Sequence, residues 1–380
     1  MVNKIVIVGF NHHNTLGIIR ALGEAGYKDD LYLILHAPVN DFVSTSKYIR
    51  KDHFKRILNS DDVLESLFSL ELDKRFKHII ISGSDRMTFI LDQHYDELKE
   101  RFYLPNAKKT QGEIGRLMDK EVQADIAINS GLNIPASLTV EKKYVMDVVW
   151  EKYPCIIKPI ESVLGAKSDI AICKDREELI RSIGISSCDK FQIQEYINKK
   201  FEFQLIGVAN NGIGYIPGYT TLIRQPMNTN TGYLKYQSIS SLNADFTSIN
   251  SFLKEIGYSG LFSMEFLRDA DGKDYFMEIN MRNDGNAYVV KTYGVNLPEM
   301  WVNFCLGRQV VLSTNIFKPV YFMPGFTDAR NMFEVGIIKW WYQWFSAESK
   351  AVYNRHDIMP FILSLKYRFI SLFKRFVLHK

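Results

Sequence analysis

Two acids and an amide, Glu265, Glu278 and Asn280, lie on segments that read as neighbouring strands. Residues 261–266 and 275–280 are apolar runs, and the turn-rich stretch Asp269-Ala270-Asp271-Gly272-Lys273 between them predicts an antiparallel hairpin. Strand side chains alternate faces, so Glu278 and Asn280 point the same way and the hairpin brings Glu265 alongside. Three oxygen-bearing side chains at that spacing suit a hard divalent cation, with magnesium the natural candidate because phosphate oxygens complete its shell. The competing reading is a solvated pair of strand acids balanced by Lys273 and Arg282.

Partners for a nucleotide lie upstream. Lys120 falls on a helical stretch and Lys158 ends a buried strand, so each could place an ammonium on phosphate oxygens. The loop 158–168, with Gly165 near its centre, is small and polar enough to fold over phosphates with its backbone N–H groups. Main-chain groups of Glu195, Tyr196 and Ile197 could meet an adenine edge, and Glu202 could accept from ribose hydroxyls. Any one of these lysines alone reads as surface; the ordered set is harder to obtain by chance.

The elements that must position these groups fall into segments of different character. The β-branched run 4–9 ends in glycine, 15–25 reads as a helix closed by Gly26, and 31–35 and 78–82 read as further buried strands. Strands alternating with helices imply a parallel sheet with helices on both faces. Gly9 is followed by Phe10, Asn11 and His12, so the dinucleotide fingerprint G-x-G-x-x-G is missing. His12 and His13, at the carboxyl end of the first strand, are expected as loop surface more than as ligand contacts. A helix over 112–129 with a Gly131 stop and strands over 153–159, 191–197 and 203–209 precede the hairpin, giving the middle of the chain an α+β character without internal repeats.

Length and composition bound the answer. A chain of 380 residues implies two or three domains, and 46% hydrophobic with 24% charged residues is a globular composition. Four scattered cysteines, Cys155, Cys173, Cys188 and Cys305, exclude a zinc ribbon or disulfide scaffold, and the start MVNKIVIVGFN lacks the pattern of a signal peptide. A reduced cytoplasmic setting is expected. The net charge of +4 is concentrated at the end of the chain. Residues 354–380 hold six basic side chains against the single acid Asp357, over a near-neutral body that argues against nucleic-acid binding. Lys339-Trp340-Trp341-Tyr342-Gln343-Trp344-Phe345 and the amphipathic stretch 361–378 follow the hairpin region. A basic amphipathic helix with nearby tryptophans could lie on an anionic membrane face, or its apolar stripe could pack on the body.

These stretches resemble the ATP-grasp carboxylate–amine ligases. The matching segments are M-D-K-E (118–121), G-L-N-I-P-A-S (131–137), I-I-K-P (156–159), Q-E-Y-I (194–197), F-E-F (201–203), S-M-E-F (263–266) and M-E-I-N-M-R-N-D-G-N (277–286). The resemblance runs from about 109 to 306, and E-x-N-x-R is its most specific element. It implies a Rossmann-like domain over 1–107, a two-subdomain ATP-grasp fold over 108–310 and a helical extension over 311–380, of mixed α/β and α+β class. It further implies that Lys120 and Lys158 contact ATP phosphates, that Glu195 to Ile197 form the adenine hinge and Glu202 binds ribose, and that Glu265, Glu278 and Asn280 hold Mg2+. Arg282 would sit beside the transferred phosphate or the substrate carboxylate, and Lys235 is a further catalytic candidate in the region that also holds Arg224. Gly165 is followed by Ala166 where the family usually has a second glycine, which departs from the pattern of a closing phosphate loop.

The implied activity is amide formation through an acyl phosphate, with an amino acid or carboxylate and an amine acceptor as partners. The N-D-G-N run and basic end look most similar to the D-aspartate ligase-like group, whose acceptor is a cell-envelope precursor. Peripheral contact with the inner membrane face and a homodimer are compatible with this reading. The alternatives are a nicotinamide oxidoreductase on the N-terminal sheet and a non-catalytic, nucleotide-binding peripheral membrane protein.

Overall fold

The computed structural model describes residues 3–159, 170–186, 188–225, 231–310 and 318–378. The chain divides into two compact units. The first comprises 1–131, 203–265 and 278–380, and the second comprises 132–202 and 266–277.

In the first unit, β1 (Ile5–Phe10), β2 (Leu31–His36), β3 (Phe54–Ile57), β4 (His78–Ser82) and β5 (Phe102–Tyr103) form a parallel sheet in the order β3-β2-β1-β4-β5. β1 and β4 are continuous apolar runs because both faces are covered, as expected of central parallel strands. Ile5 and Ile7 face one core with Leu16, Ile19 and Trp301, while Val6 and Val8 face another with Leu91 and Phe102. The helix His13–Glu24 follows β1 through a turn so tight that a Cβ on Gly9 would stand 2.3 Å from Thr15 Oγ1.

The predicted helix over 112–129 is two helices, Glu113–Leu117 and Lys120–Asn129. Asp119 between them is extended, and its side chain accepts the N–H groups of Glu121 and Val122, so an N-cap restarts the helix where periodicity alone reads through.

A short strand β6 (Asn106–Ala107) leads to the second unit, where β7 (Ser137–Glu141), β8 (Cys155–Pro159), β9 (Ala171–Cys173) and β10 (Lys190–Glu195) form an antiparallel sheet in the order β7-β10-β8-β9. Cys155, Ile157, Phe191 and Ile193 fill its core with Leu179 and Ile183 of the helix Arg176–Ile185. The strand predicted over 191–197 stops at Glu195, so Tyr196 and Ile197 lie just beyond it.

A second sheet is built from β11 (Lys199–Asn210), β12 (Ile213–Arg224), β13 (Tyr233–Ser238), β14 (Tyr258–Asp269), β15 (Asp274–Asn280), β16 (Val320–Met323) and β17 (Ser349–Lys350). Its order is β15-β14-β11-β12-β13-β16-β17, with β6 paired to β14. The expected hairpin is present as β14 and β15.

The aromatic segment forms the helix Ile337–Ser346, and 361–378 lies within the helix Met359–Leu378. Trp340 and Trp344 are 0% and 8% exposed and pack with Tyr233 and Met323. Trp340 Nε1, which needs an acceptor when buried, finds one in Asp328 Oδ2 at 2.9 Å. Among the described residues no helix is long and apolar enough to cross a membrane.

Candidate active site

The hairpin brings its three oxygen-bearing side chains together in the first unit. Asn280 Nδ2 lies 3.4 Å from Glu265 Oε1 and 3.3 Å from Glu278 Oε1. The amide therefore stands between two carboxylates, and turning it about its last torsion presents Oδ1 in the same place. Two carboxylates and one reversible amide make an oxygen set suited to a hard cation. Among the described residues no group of three or more His, Cys, Asp or Glu side chains forms a metal site, so this mixed set is the arrangement to weigh.

Lys120 opens the helix Lys120–Asn129, and its Nζ lies 2.9 Å from Glu278 Oε2. Burial alone would raise the Glu278 carboxyl, but the ammonium of Lys120, the amide of Asn280 and the charge of Arg282 outweigh it and hold the group below its ordinary value. Glu278 is thus an anion at neutral pH. The residue that sets this pairing escaped the sequence reading. Gln123, one turn along the same helix and 5% exposed, accepts the N–H of Ile279 at 2.8 Å and donates to Ile279 O at 3.2 Å. Its amide clamps the helix to β15 and so fixes Lys120 against Glu278.

Arg282 acts on Glu278 through its charge, but its ion pairs are with two other carboxylates. It lies 3.0 Å from Asp284 and 3.2 Å from Asp85, and its side chain is 16% exposed. Burial opposes its charge, but Asp284 and Asp85 outweigh that and raise its pKa. The N-D-G-N run beyond it is a buried polar network. Asp284 Oδ2 accepts from Gln204 at 3.0 Å and Ser263 at 3.1 Å, while its Oδ1 accepts the Asn286 N–H at 2.7 Å. Asn14 Nδ2 donates to Gly83 O at 2.9 Å and Asn283 O at 2.6 Å, tying this loop to the carboxyl ends of β1 and β4. Three polar residues and a glycine shortly after the strand were the available signal for this network.

His12 is exposed, as expected, and His13 is half-buried. His12 caps the helix His13–Glu24, and His13 Nε2 lies 3.2 Å from Thr231 Oγ1. Lys235 sits on β13 opposite Thr221 and Tyr321, half-buried, and its Nζ has no hydrogen-bond or ion-pair partner among the described residues. Arg224, by contrast, is held in a salt bridge with the buried Asp328.

The remaining candidates belong to the second unit. Lys158 Nζ donates to Gln194 Oε1 at 2.7 Å across paired strands. The Glu195 carboxylate lies 3.3 Å from Lys152 Nζ and accepts the Ala136 N–H at 3.2 Å. The N–H groups of Glu195 and Tyr196 bond to Ala136 O and Pro154 O, which leaves an adenine edge to the carbonyl oxygens of this stretch and to Ile197. Glu202 pairs with Lys199. Gly165 and Ala166 lie outside the described residues.

No protein-family model matches the chain. In sequence it is 22% identical, over 316 residues, to the D-aspartate ligase of Enterococcus faecium, a match covering 75% of this chain and 72% of that one. In structure it is similar to an L-amino acid ligase from Bacillus licheniformis, with a TM-score of 0.58, 16% identity, and 80% of this chain and 74% of that one covered. N5-carboxyaminoimidazole synthetase from Staphylococcus aureus, complexed with ADP, superposes with a TM-score of 0.63 and 16% identity over 88% of this chain and 86% of that one. The biotin carboxylase domain of Hydrogenobacter thermophilus 2-oxoglutarate carboxylase, in a complex with MgADP and bicarbonate, gives 0.61 and 16% over 84% and 74%. At these identities the structural likeness establishes the fold, and that fold is ATP-grasp. In fold, and more distantly in sequence, the chain is thus similar to ATP-grasp ligases.

Proposed function

We propose that the protein is an ATP-dependent carboxylate–amine ligase that takes an amino acid as one of its substrates. The observation that carries the reading is the convergence of Glu265, Glu278 and Asn280, with Lys120 on Glu278. The similar proteins complexed with ADP or MgADP support a nucleotide and magnesium as what this site meets. Magnesium held by these three side chains would neutralise phosphate oxygens of the nucleotide. Lys120, paired with Glu278, would supply an ammonium group for the same oxygens.

The chemistry then follows from the electrophile. A carboxylate is unreactive toward amines, so one of its oxygens first takes the terminal phosphoryl group of ATP, releasing ADP. The amine nitrogen attacks the acyl carbon, a tetrahedral oxyanion forms, and its collapse expels phosphate and leaves the amide. Arg282, held protonated, is placed to offset that oxyanion or to bind the substrate carboxylate. The D-aspartate ligase relative favours an amino acid as the carboxylate partner. A cell-envelope amine is the acceptor this relationship suggests.

Incubating the protein with ATP, Mg2+ and pools of amino acids and amines tests the reading. ADP and phosphate should appear only with particular carboxylate and amine pairs, and Glu278→Ala should lower that turnover by at least about a hundredfold while leaving Tm unchanged. Nucleotide turnover indifferent to both pools, or near-normal turnover in Glu278→Ala, would refute it.

A separate observation favours peripheral contact with an anionic lipid surface. The helix Ile337–Ser346 also exposes large apolar side chains: opposite its buried tryptophans, Ile338, Tyr342 and Phe345 are 87%, 72% and 69% exposed, next to Phe333 at 81%. The one acid of residues 354–380, Asp357, is buried, whereas Arg355, Lys366 and Arg368 are exposed. The protein should sediment with phosphatidylserine vesicles and not with neutral ones. Loss of that difference in Ile338→Ser/Phe345→Ser is expected, and its persistence would sink the assignment.

A further inference from the structure

The helix His13–Glu24 is capped by a histidine, where Ser, Thr, Asp and Asn are the preferred residues. His12 Nδ1 accepts the N–H of Asn14 at 3.3 Å. A ring nitrogen that accepts a backbone N–H carries no proton, so the proton of the neutral ring resides on Nε2. Capping therefore turns His12 into a donor with one available N–H. The ring is exposed, and Arg282 and Asp284 lie near enough for their charges to act on it. Burial and the charge of Arg282 both lower its pKa against the opposing pull of Asp284, and the ring is uncharged at neutral pH.

The surroundings set this ring beside the loop that follows Arg282. The rings of His12 and His13 stack with centroids 3.8 Å apart. A Cβ on Gly285 would stand 3.2 Å from His13 Nε2 and 3.8 Å from His12 Cε1, so the loop that leaves Asn280 passes directly against both rings. Glycine at 285 permits that approach. The pair thus adjoins the short stretch that carries Asn280 and Arg282, where the reacting acyl group would lie.

We propose that His12 contacts the substrate, donating its Nε2–H to an oxygen of the carboxylate and of the tetrahedral oxyanion formed from it beside Arg282. This rests on the ligase reading and adds to it a neutral donor from the N-terminal sheet. A neutral donor strengthens as charge localises on the oxyanion, yet holds the ground-state carboxylate less tightly than a second cation would. No proton leaves His12 in this role.

Two isosteric substitutions separate donor from cap. His12→Asn puts an amide oxygen where Nδ1 stands and removes the distal N–H; His12→Gln puts an amide N–H where Nε2 stands and gives up the cap. kcat/KM for the carboxylate substrate, the Kd of MgADP and Tm are measured for both. The expected result is a loss of about a hundredfold in kcat/KM for His12→Asn, with MgADP binding and Tm unchanged. His12→Gln should retain kcat/KM within about tenfold and lose Tm instead. Wild-type kcat/KM in His12→Asn would show that the residue is only a cap and overturn the inference while the ligase reading stands. Absence of carboxylate- and amine-dependent ADP release from the wild-type protein would overturn both.

Discussion

Asp357 is the one acid of a basic segment, yet it is buried, with its side chain 1% exposed beside that of Arg20 at 0%. Arg20 Nε donates to Asp357 Oδ2 at 3.0 Å, and its Nη2 donates to the carbonyls of Asp357 and Val352, both at 2.9 Å. Asp357 also accepts Ser46 Oγ at 2.8 Å and the Lys47 N–H at 2.9 Å. Asp357→Ala leaves a guanidinium charge buried without its counter-ion, a change that costs about 3–5 kcal/mol. The first unit contains roughly 300 residues. At about 2.1 cal/mol/K per residue its unfolding entropy is about 0.6 kcal/mol/K, so Tm should fall by about 5–8 °C. Because the pair also carries a desolvation cost, the double variant Arg20→Met/Asp357→Leu should regain most of that loss. Calorimetry on the single and double variants at pH 7 measures both effects. A single variant within about 2 °C of wild type, or a double variant no better than the single, would refute the account.

Two further outcomes follow from the site. Burial and the neighbouring His12 hold His13 well below its ordinary pKa of 6.5, so as pH falls below that value the unfolded chain takes up a proton that the folded chain refuses. Stability should therefore decline between pH 6.5 and 5 by up to about 1.4 kcal/mol per pH unit for this residue, and His13→Gln should flatten that limb; an equal slope in both proteins contradicts it. Gln123→Leu should destabilise by about 1–3 kcal/mol by leaving the buried Ile279 N–H without its acceptor, and should weaken MgADP binding by loosening Lys120, whereas wild-type Tm and Kd would argue against the clamp.

Much of the candidate site is legible because it is local. The pairing of Glu265 with Glu278 and Asn280 needs only strand alternation and one short turn, and the observed bonds to Asn280 agree with it. The N-terminal parallel sheet is legible for a similar reason, since strands buried on both faces are uniformly apolar. The reading of 112–129 as one helix failed at Asp119, where a cap outweighs periodicity. Whether the tryptophans of 340–344 meet membrane or core stayed open in the sequence, because composition does not tell which face of a tryptophan-rich helix is buried.

The amino-acid order alone determined which side chains share a strand face, where apolar runs become buried strands, and that the end of the chain is basic. Tertiary structure alone decided that Gln123 reads the backbone of Ile279, 156 residues away, and that Asp357 meets Arg20, 337 residues away. It likewise made His12 a cap beside the loop after Asn280, its distal N–H without a partner among the described residues. Alternation and periodicity act over a few residues and are written in the chain. A partner brought close by folding is chosen by packing and by the cost of leaving a buried charge or N–H unmatched, and no short stretch of sequence records that choice.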